Sequence, residues 1–598
     1  MKVNRSEKQK VRNENPIVFE WVNTHLVKVF LFVVSLVYFY RYGSYILSFQ
    51  ESQSLFLNSG QYLRGFLNKP GGLLVYAGKF LTGFYSGAFT GAFVLASIII
   101  LLSYLVDLLC KLLGFNTPFS ALLSVLPACC LLIMQSHYYH LMEINLGFLL
   151  VVSMLVLSVL LDRKKMGFIA LILFPLFYYL AGAFAWLFAV AYLIYRITFF
   201  KGNRRFIESG ILVVLAALVL FISEKWIFVQ PRSSLIGYPV NLINDSNYRL
   251  AFYILVGFFP LVFLLTKFKY PNVNRTTTLA GVFSVMIISA SGFILFRSYN
   301  AQTARVLQVE RYIFDEKWDD AIRFSERNPS GNLIGQYFYN VALSETGQLC
   351  EKLFSGRQNF GASSLILPWG NEHLNYGAWF YYSVGLINEA QRWAYEDMVV
   401  NGFKPSNLKM LVRTNLVNED YAMALKYISI LKKSQNYRKW ALEYEKMVLD
   451  TTLIAGNAEL KFRRSIMPKG DFFIQVSAPQ NNIPLLLNSN PTNKRAFEYK
   501  MAWLMLSKDI EGIAAQLKEL KNLGYTRIPR HLEEAVMIYY NAKGSFPDMG
   551  GLSVSEQTQA RFSQYVDAFK ANRQNVDVAK QTLGMLFGDT FMYYYHFS

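Results

Sequence analysis

The stretch VKVFLFVVSLVYFYRYGSYILSFQE, residues 27–51, decides how the chain is read. From Val27 to Leu47 it is an apolar run long enough to cross a bilayer, which takes roughly 20 residues of helix. It ends at a lone acid, Glu51, in a region almost devoid of acids. Residues 1–24 before it are polar and basic, with Lys2, Arg5, Lys8, Lys10 and Arg12. No small-residue cleavage site follows the run, so it reads as an uncleaved signal anchor.

The same pattern recurs. Apolar runs follow at about 87–109, 119–134, 144–161, 168–180, 183–200, 207–222, 250–265 and 279–296, which makes nine spans with the fifth one short. The composition agrees: 53% of the 598 residues are hydrophobic and 16% aromatic, too apolar for an ordinary soluble protein. Residues 1–300 carry 25 Lys or Arg against 10 Asp or Glu, a net +15. Of the chain's 59 and 40, that leaves 34 against 30, or +4, for residues 301–598. The basicity therefore belongs to the membrane half, where it reads as topology and contact with anionic lipid, with no nucleic-acid partner.

Lys111, Arg163-Lys164-Lys165, Lys201 with Arg204-Arg205, and Lys267, Lys269 and Arg275 all fall on the side of the N-terminus if nine spans alternate. Basic loops stay in the cytoplasm. This predicts a cytoplasmic segment 1–24, a polytopic domain 25–297 and a periplasmic domain 298–598 of an inner-membrane protein. Only Glu51, Glu143, Glu224 and Asp245 among the acids of the membrane half then lie on the outer side.

The last 300 residues have helical periodicity and mixed charge. Trp318-Asp319-Asp320-Ala321-Ile322 and Tyr421-Ala422-Met423-Ala424-Leu425 share an aromatic-x-x-Ala-aliphatic spacing, with a weaker echo at Asp509-Ile510-Glu511-Gly512-Ile513. The spacing resembles tetratricopeptide-like (TPR-like) repeats, where a small residue lets paired helices approach. The predicted fold is all-α: a membrane domain of about nine spans, then an irregular TPR-like α-solenoid. The four cysteines are too scattered for a disulfide framework or a thiolate zinc site.

Candidate chemistry gathers in the outer loops. Residues 49–86 run as an acid, an amphipathic segment, a Pro-Gly break and a second amphipathic segment. Leu55, Tyr62, Phe66, Leu73, Tyr76, Phe80 and Phe84 can form apolar stripes, and Arg64, Lys69 and Lys79 can reach headgroups, as in helices lying at a membrane interface. Gly83, Gly87 and Gly91 recur every four residues and predict close packing of the second span. In the next outer loop, His137, His140 and Glu143 at intervals of three can share a helix face, either as N and O ligands for a divalent metal or as an interfacial belt with no metal. Lys225, Arg232 and Arg249 bracket the fourth outer loop, either to grip a phosphate or to snorkel to lipid. Trp369 to His373, with Tyr376, Trp379, Phe380 and Tyr381, is either a sugar-stacking loop or core.

The loop 49–86 resembles the start of the C-type (GT-C) polytopic glycosyltransferases, whose first long outer loop begins with an acid and continues with interfacial helices. The resemblance implies a polyprenyl-phosphate-linked sugar donor and Glu51 as the base that activates the acceptor, with the second-loop acid Glu143 and a metal as further parts of the site. That superfamily often has an acidic pair where this chain has Gln50-Glu51-Ser52. Over its whole length the chain also resembles a family of Bacteroidota inner-membrane proteins with nine spans and a helical-repeat tail. The cues are Asn490-Pro491-Thr492-Asn493-Lys494-Arg495, Pro529-Arg530-His531-Leu532-Glu533-Glu534 and the aromatic end, and they imply location and architecture without an activity. Two functions stay open: a lipid-linked-sugar transferase of the outer face, and a non-enzymatic scaffold that holds envelope proteins on its repeats. A transporter is disfavoured because the spans show no paired charges at mid-depth.

Overall fold

The computed structural model describes residues 16–266, 273–572 and 574–598. The basic residues Lys2, Arg5, Lys8, Lys10, Arg12, Lys267 and Lys269 lie outside them, as does the Arg275 side chain. The chain is 76% helix with no strand among the described residues, and it divides into two compact units, Met1–Tyr299 and Asn300–Ser598.

The first unit is built from α1 (Pro16–Arg41), α2 (Ser44–Ser52), α3 (Gly60–Leu67), α4 (Gly72–Thr82), α5 (Ala88–Leu112), α6 (Thr117–Gln135), α7 (Met142–Arg163), α8 (Phe168–Ala181), α9 (Phe184–Phe199), α10 (Arg204–Ile222), α11 (Arg232–Gly237), α12 (Ser246–Leu265) and α13 (Val273–Ser298). Six helices, in α5, α6, α7, α10, α12 and α13, are long and apolar enough to cross a membrane. The first apolar run is bent by 68° between α1 and α2, and counts as a seventh crossing if the pair is one span. The fifth and sixth runs are helices of only 14 and 16 residues. At 1.5 Å per residue, each spans roughly 21–24 Å against a hydrocarbon core of about 30 Å.

Helix α6 is the centre of the bundle, packed by α1, α5, α12 and α13, and α7 contacts α4, α5 and α9. By contrast α10 and α13 are mostly uncovered by protein, and their exposed Ile, Val, Leu and Phe side chains fit lipid. Of the glycine stripe, only Gly91 makes the expected close approach: a Cβ there would meet Tyr85 and Leu47 at 3.0–3.2 Å, whereas Gly83 has open space. Helices α3 and α4 pack on each other through rings, with Phe66 5.7 Å and Tyr62 6.1 Å from Tyr76, and Phe56, just before α3, adds a contact of 5.0 Å to the same ring.

Paired charges are present, but near helix ends and away from mid-depth. Lys28 meets Asp107 at 2.5 Å, and Asp107 also accepts from Ser120 and Lys111. Arg196, fully buried, lies 3.0 Å from Asp162 and 2.8 Å from Glu208. The five charges come from the starts of α1's apolar part and α10 and the ends of α5, α7 and α9, so each pair joins helix ends that neighbour one another.

The second unit is a series of helix pairs joined by a recurring turn. Glu316, Gly347, Gly385, Glu419 and Lys508 all have φ between 58° and 89°. The residue after each donates its N–H to a carbonyl five positions back: Lys317 to Tyr312, Gln348 to Leu343, Leu386 to Tyr381, Asp420 to Asn415 and Asp509 to Leu504, at 2.8–2.9 Å. This is the Schellman closure of a helix C-terminus. The first four recur at steps of 31, 38 and 34 residues. Ala321, Ala424 and Ile513 are buried in the helices that follow three of these turns.

Contacts also reach far along the sequence. Leu333–Thr346 packs on Lys494–Leu506, the Glu345 carboxylate pairs with Arg463, and Asn493 donates to the carbonyls of Val384 and Ile466. A linear solenoid keeps to neighbouring repeats, so this unit folds back on itself. Trp379, Phe380 and Tyr381 are core; Trp369 remains over one third exposed, with Arg392 4.3 Å from its ring. All four cysteines are free and buried.

Candidate functional site

Three connections at one end of the bundle are pinned together by backbone. Gly71 donates to the Tyr179 carbonyl at 2.9 Å and Ala183 to the Tyr238 carbonyl at 2.9 Å. Gly71 and Gly182 both take positive φ and approach so closely that a Cβ on Gly182 would lie 2.3 Å from the Tyr238 oxygen. Only glycine fits there. Lys69 places its ammonium 4.0 Å over the Tyr238 ring.

Beside these loops the end of α2 docks on the α6–α7 connection. The Phe49 ring packs against Tyr138 and Tyr139, and Gln50 Nε2 donates to the His140 carbonyl at 2.7 Å. That bond opens a closed circuit of buried polar groups. Gln135 Nε2 donates to Gln50 Oε1 at 3.1 Å, and Asn145 Nδ2 to Gln135 Oε1 at 2.7 Å. Asn145 Oδ1 lies 2.6 Å from His140 Nε2, and His140 Nδ1 lies 3.0 Å from the Tyr248 hydroxyl. The amide directions leave one consistent assignment: Nε2 of His140 carries the proton and donates, and Nδ1 accepts from Tyr248. A neutral ring fits its surroundings, because burial pushes the His140 pKa down to about 4.

The two candidate acids flank this circuit. Glu51 adjoins Gln50, and Glu143 opens α7, three residues after His140; each is 7% exposed. Glu143 lies in the first turn of α7, where the helix dipole favours a negative charge. Gly78 of α4 is pressed against it: a Cβ there would lie 2.8 Å from the Glu143 nitrogen and 2.9 Å from Oε2. Lys79 is the cation that acts on the Glu143 carboxylate. Tyr62, Tyr85 and Tyr238 also feel its charge, and the buried Tyr85 hydroxyl has no hydrogen-bond partner among the described residues.

The predicted metal and phosphate groupings do not form. His137, His140 and Glu143 do not form a metal-ligand set: both ring nitrogens of His140 are engaged by protein groups, and His137 Nδ1 accepts from the Tyr139 N–H at 3.2 Å. Among the described residues no group of three His, Cys, Asp or Glu could hold a metal ion. Lys225, Arg232 and Arg249 are exposed and separately engaged or solvated: Arg232 leans to Glu224 at 3.9 Å and Arg249 donates to the Ile243 carbonyl at 3.3 Å. Asp245 caps α12 by accepting from the Tyr248 N–H at 2.7 Å. Reading the sequence missed Gln135, Asn145 and Tyr248 as partners of the loop. The available signal was uncharged polar residues in or beside apolar runs, which require partners.

Together these features define a multi-pass, all-helical membrane protein with a second helical unit and a buried polar site at one end of its bundle. Residues 20–598 match a family of unknown function (DUF6057), and the chain belongs to that family. No curated protein and no solved structure matches it.

Proposed function

We propose that the chain is a GT-C-like transferase of the cell envelope, set in the inner membrane, that takes a sugar from a polyprenyl-phosphate donor on the periplasmic face. The observation that carries the reading is the Gln50–His140 hydrogen bond, which joins the loops bearing the only two buried acids, Glu51 and Glu143, of the four assigned to that face. In this reading Glu51 takes the proton of the acceptor hydroxyl as it attacks, since a positioned carboxylate is a competent general base. Lys79, which acts on the Glu143 carboxylate, and Lys69, over the Tyr238 ring, offer charge to the donor phosphate. In this reading the chain crosses nine times, α8 and α9 forming a short hairpin, and the second unit lies in the periplasm. An alkaline phosphatase fused after Ser598 is then active and one after Lys165 inactive.

The second reading is a scaffold that presents TPR-like helix pairs to envelope proteins, favoured by the Schellman turns recurring at 31–38 residues. Glu51→Gln separates the two. It keeps shape but cannot take a proton, so the transferase loses ~100- to 10,000-fold in consumption of polyprenyl-linked sugar at normal protein level. Full complementation of a deletion strain by Glu51→Gln, with none by a chain lacking residues 301–598, establishes the scaffold instead.

A further inference from the structure

The second unit contains a cleft of about 810 Å³ between the segment 354–359 and the last two helices, Val576–Phe587 and Phe591–Phe597. That volume suits a small-molecule ligand; such sites run from about 300 to 1,000 Å³. Two cations line it, Arg357 and Lys580, and neither pairs with an acid among the described residues. The one acidic side chain in the lining, Asp589, is already bound on both oxygens, by Arg530 at 2.9 Å and Arg561 at 2.7 Å, and the Ser598 carboxyl oxygen accepts from Lys508 Nζ at 2.5 Å. Both acidic groups of the lining are thus met by cations from outside it, which leaves Arg357 and Lys580 as its unpaired charges.

The walls are fixed and in part aromatic. Phe354 is clamped by His531, Phe591 and Tyr594, with ring centroids 4.8–5.4 Å away. Gln358 is buried and held by Asn340, Ser364 and the Leu353 carbonyl. Tyr593 and Phe597 lie 5.2 Å apart at 33° and form an aromatic wall, with the Tyr593 hydroxyl tied to the Lys580 carbonyl at 3.2 Å. Beside it, the side chains of Ser355 and Asn359 make no hydrogen bond within the described residues and are free to donate.

We propose that this cleft binds an anionic saccharide, a sugar bearing a phosphate or a carboxylate: Arg357 and Lys580 hold the oxyanion, the Tyr593–Phe597 wall takes the ring, and Asn359 and Ser355 meet hydroxyls. Charge-assisted bonds from a guanidinium and an ammonium suit either oxyanion, and aromatic faces suit the apolar side of a pyranose. The site does not depend on whether the membrane unit is a transferase.

Calorimetric titration of the full-length protein in detergent micelles tests it, with glucose 1-phosphate and glucuronate as the two anionic probes and glucose and inorganic phosphate as comparators. At least one anionic sugar binds saturably, and glucose and inorganic phosphate each bind roughly tenfold more weakly or worse. Arg357→Gln with Lys580→Gln lowers the affinity by roughly tenfold or more per cation, at unchanged melting temperature. If the double variant melts lower, the single Arg357→Gln, at an exposed side chain, gives the same comparison. The proposal is overturned if neither anionic sugar binds up to about 10 mM, if glucose or inorganic phosphate binds as well as the anionic sugars, or if the folded variant binds as the wild type does.

Discussion

Gln50 Nε2 and the His140 carbonyl oxygen are 2.7 Å apart across 90 residues of sequence, and both are buried. Gln50→Leu removes that donor and also the acceptor that Gln135 Nε2 uses. Each buried polar group so orphaned costs about 1–3 kcal/mol. Thermal unfolding in detergent is expected to fall by several degrees in Gln50→Leu, and hardly at all in Arg64→Leu on the exposed side of α3.

The His140 ring sets a pH dependence. Its pKa is about 4 in the fold because of burial, against about 6.5 in an unfolded chain. Between those values the unfolded chain binds the extra proton, so stability is full above about pH 6.5 and falls as the pH drops toward 4, by about 3 kcal/mol. Unfolding temperatures measured from pH 7.5 to 4 should show this acid loss, reduced in His140→Gln. An equal loss in both proteins assigns it to other groups.

Gly78→Ala puts a methyl group 2.8 Å from the Glu143 backbone nitrogen. Backbone cannot rotate aside, so α4 must shift away from α7, at a cost of about 1–3 kcal/mol. Gly65→Ala in α3 meets nothing within 4 Å and should be neutral or stabilising by up to about 1 kcal/mol. Equal melting of the two variants would mean that α4 does not rest on Glu143.

Glu310, in the second unit, is 3% exposed and neither carboxylate oxygen has a hydrogen-bond partner among the described residues. Burial pushes its pKa up to about 8, with Lys404 opposing. The folded chain then holds a proton that the unfolded one gives up above the ordinary carboxylate range. Stability falls as pH rises from about 4.5 toward 8, by an amount on the order of a few kcal/mol. Glu310→Gln, which keeps the shape without the ionisation, should melt higher than the wild type at pH 8.5 and close to it at pH 5.

The helical class and the apolar runs were legible because both depend on local hydrophobicity and its period. Span length was less so: the run 168–200 reads as two spans, but Gly182 turns it into helices too short for a straight crossing. Glu51 and Glu143 could be picked out by charge alone. Their companions could not, since Gln50, Gln135, Asn145 and Tyr248 matter only through contacts of up to 108 residues' separation. The histidine spacing misled for the same reason. It describes one continuous helix, whereas α7 begins only at Met142, after His137 and His140. Ala321 and Ala424 could be picked out as buried helix positions, but the turns before them use Glu316 and Glu419 where Gly would signal a left-handed residue.

The end-located charge pairs bear on how the protein is made. A chain that enters a membrane from its N-terminus delivers Lys28 long before Asp107, 79 residues later, and Asp162 before Arg196 and Glu208. A bare charge at the centre of a bilayer costs about 2.5–3.5 kcal/mol even on the mildest scale, and far less near the edge, where it can reach headgroups and water. Each charge can therefore wait at the membrane surface until its partner's helix is laid beside it, and closure of the pairs marks a correctly assembled bundle. A chain that stops before α10 leaves Arg196 with Asp162 alone and without Glu208.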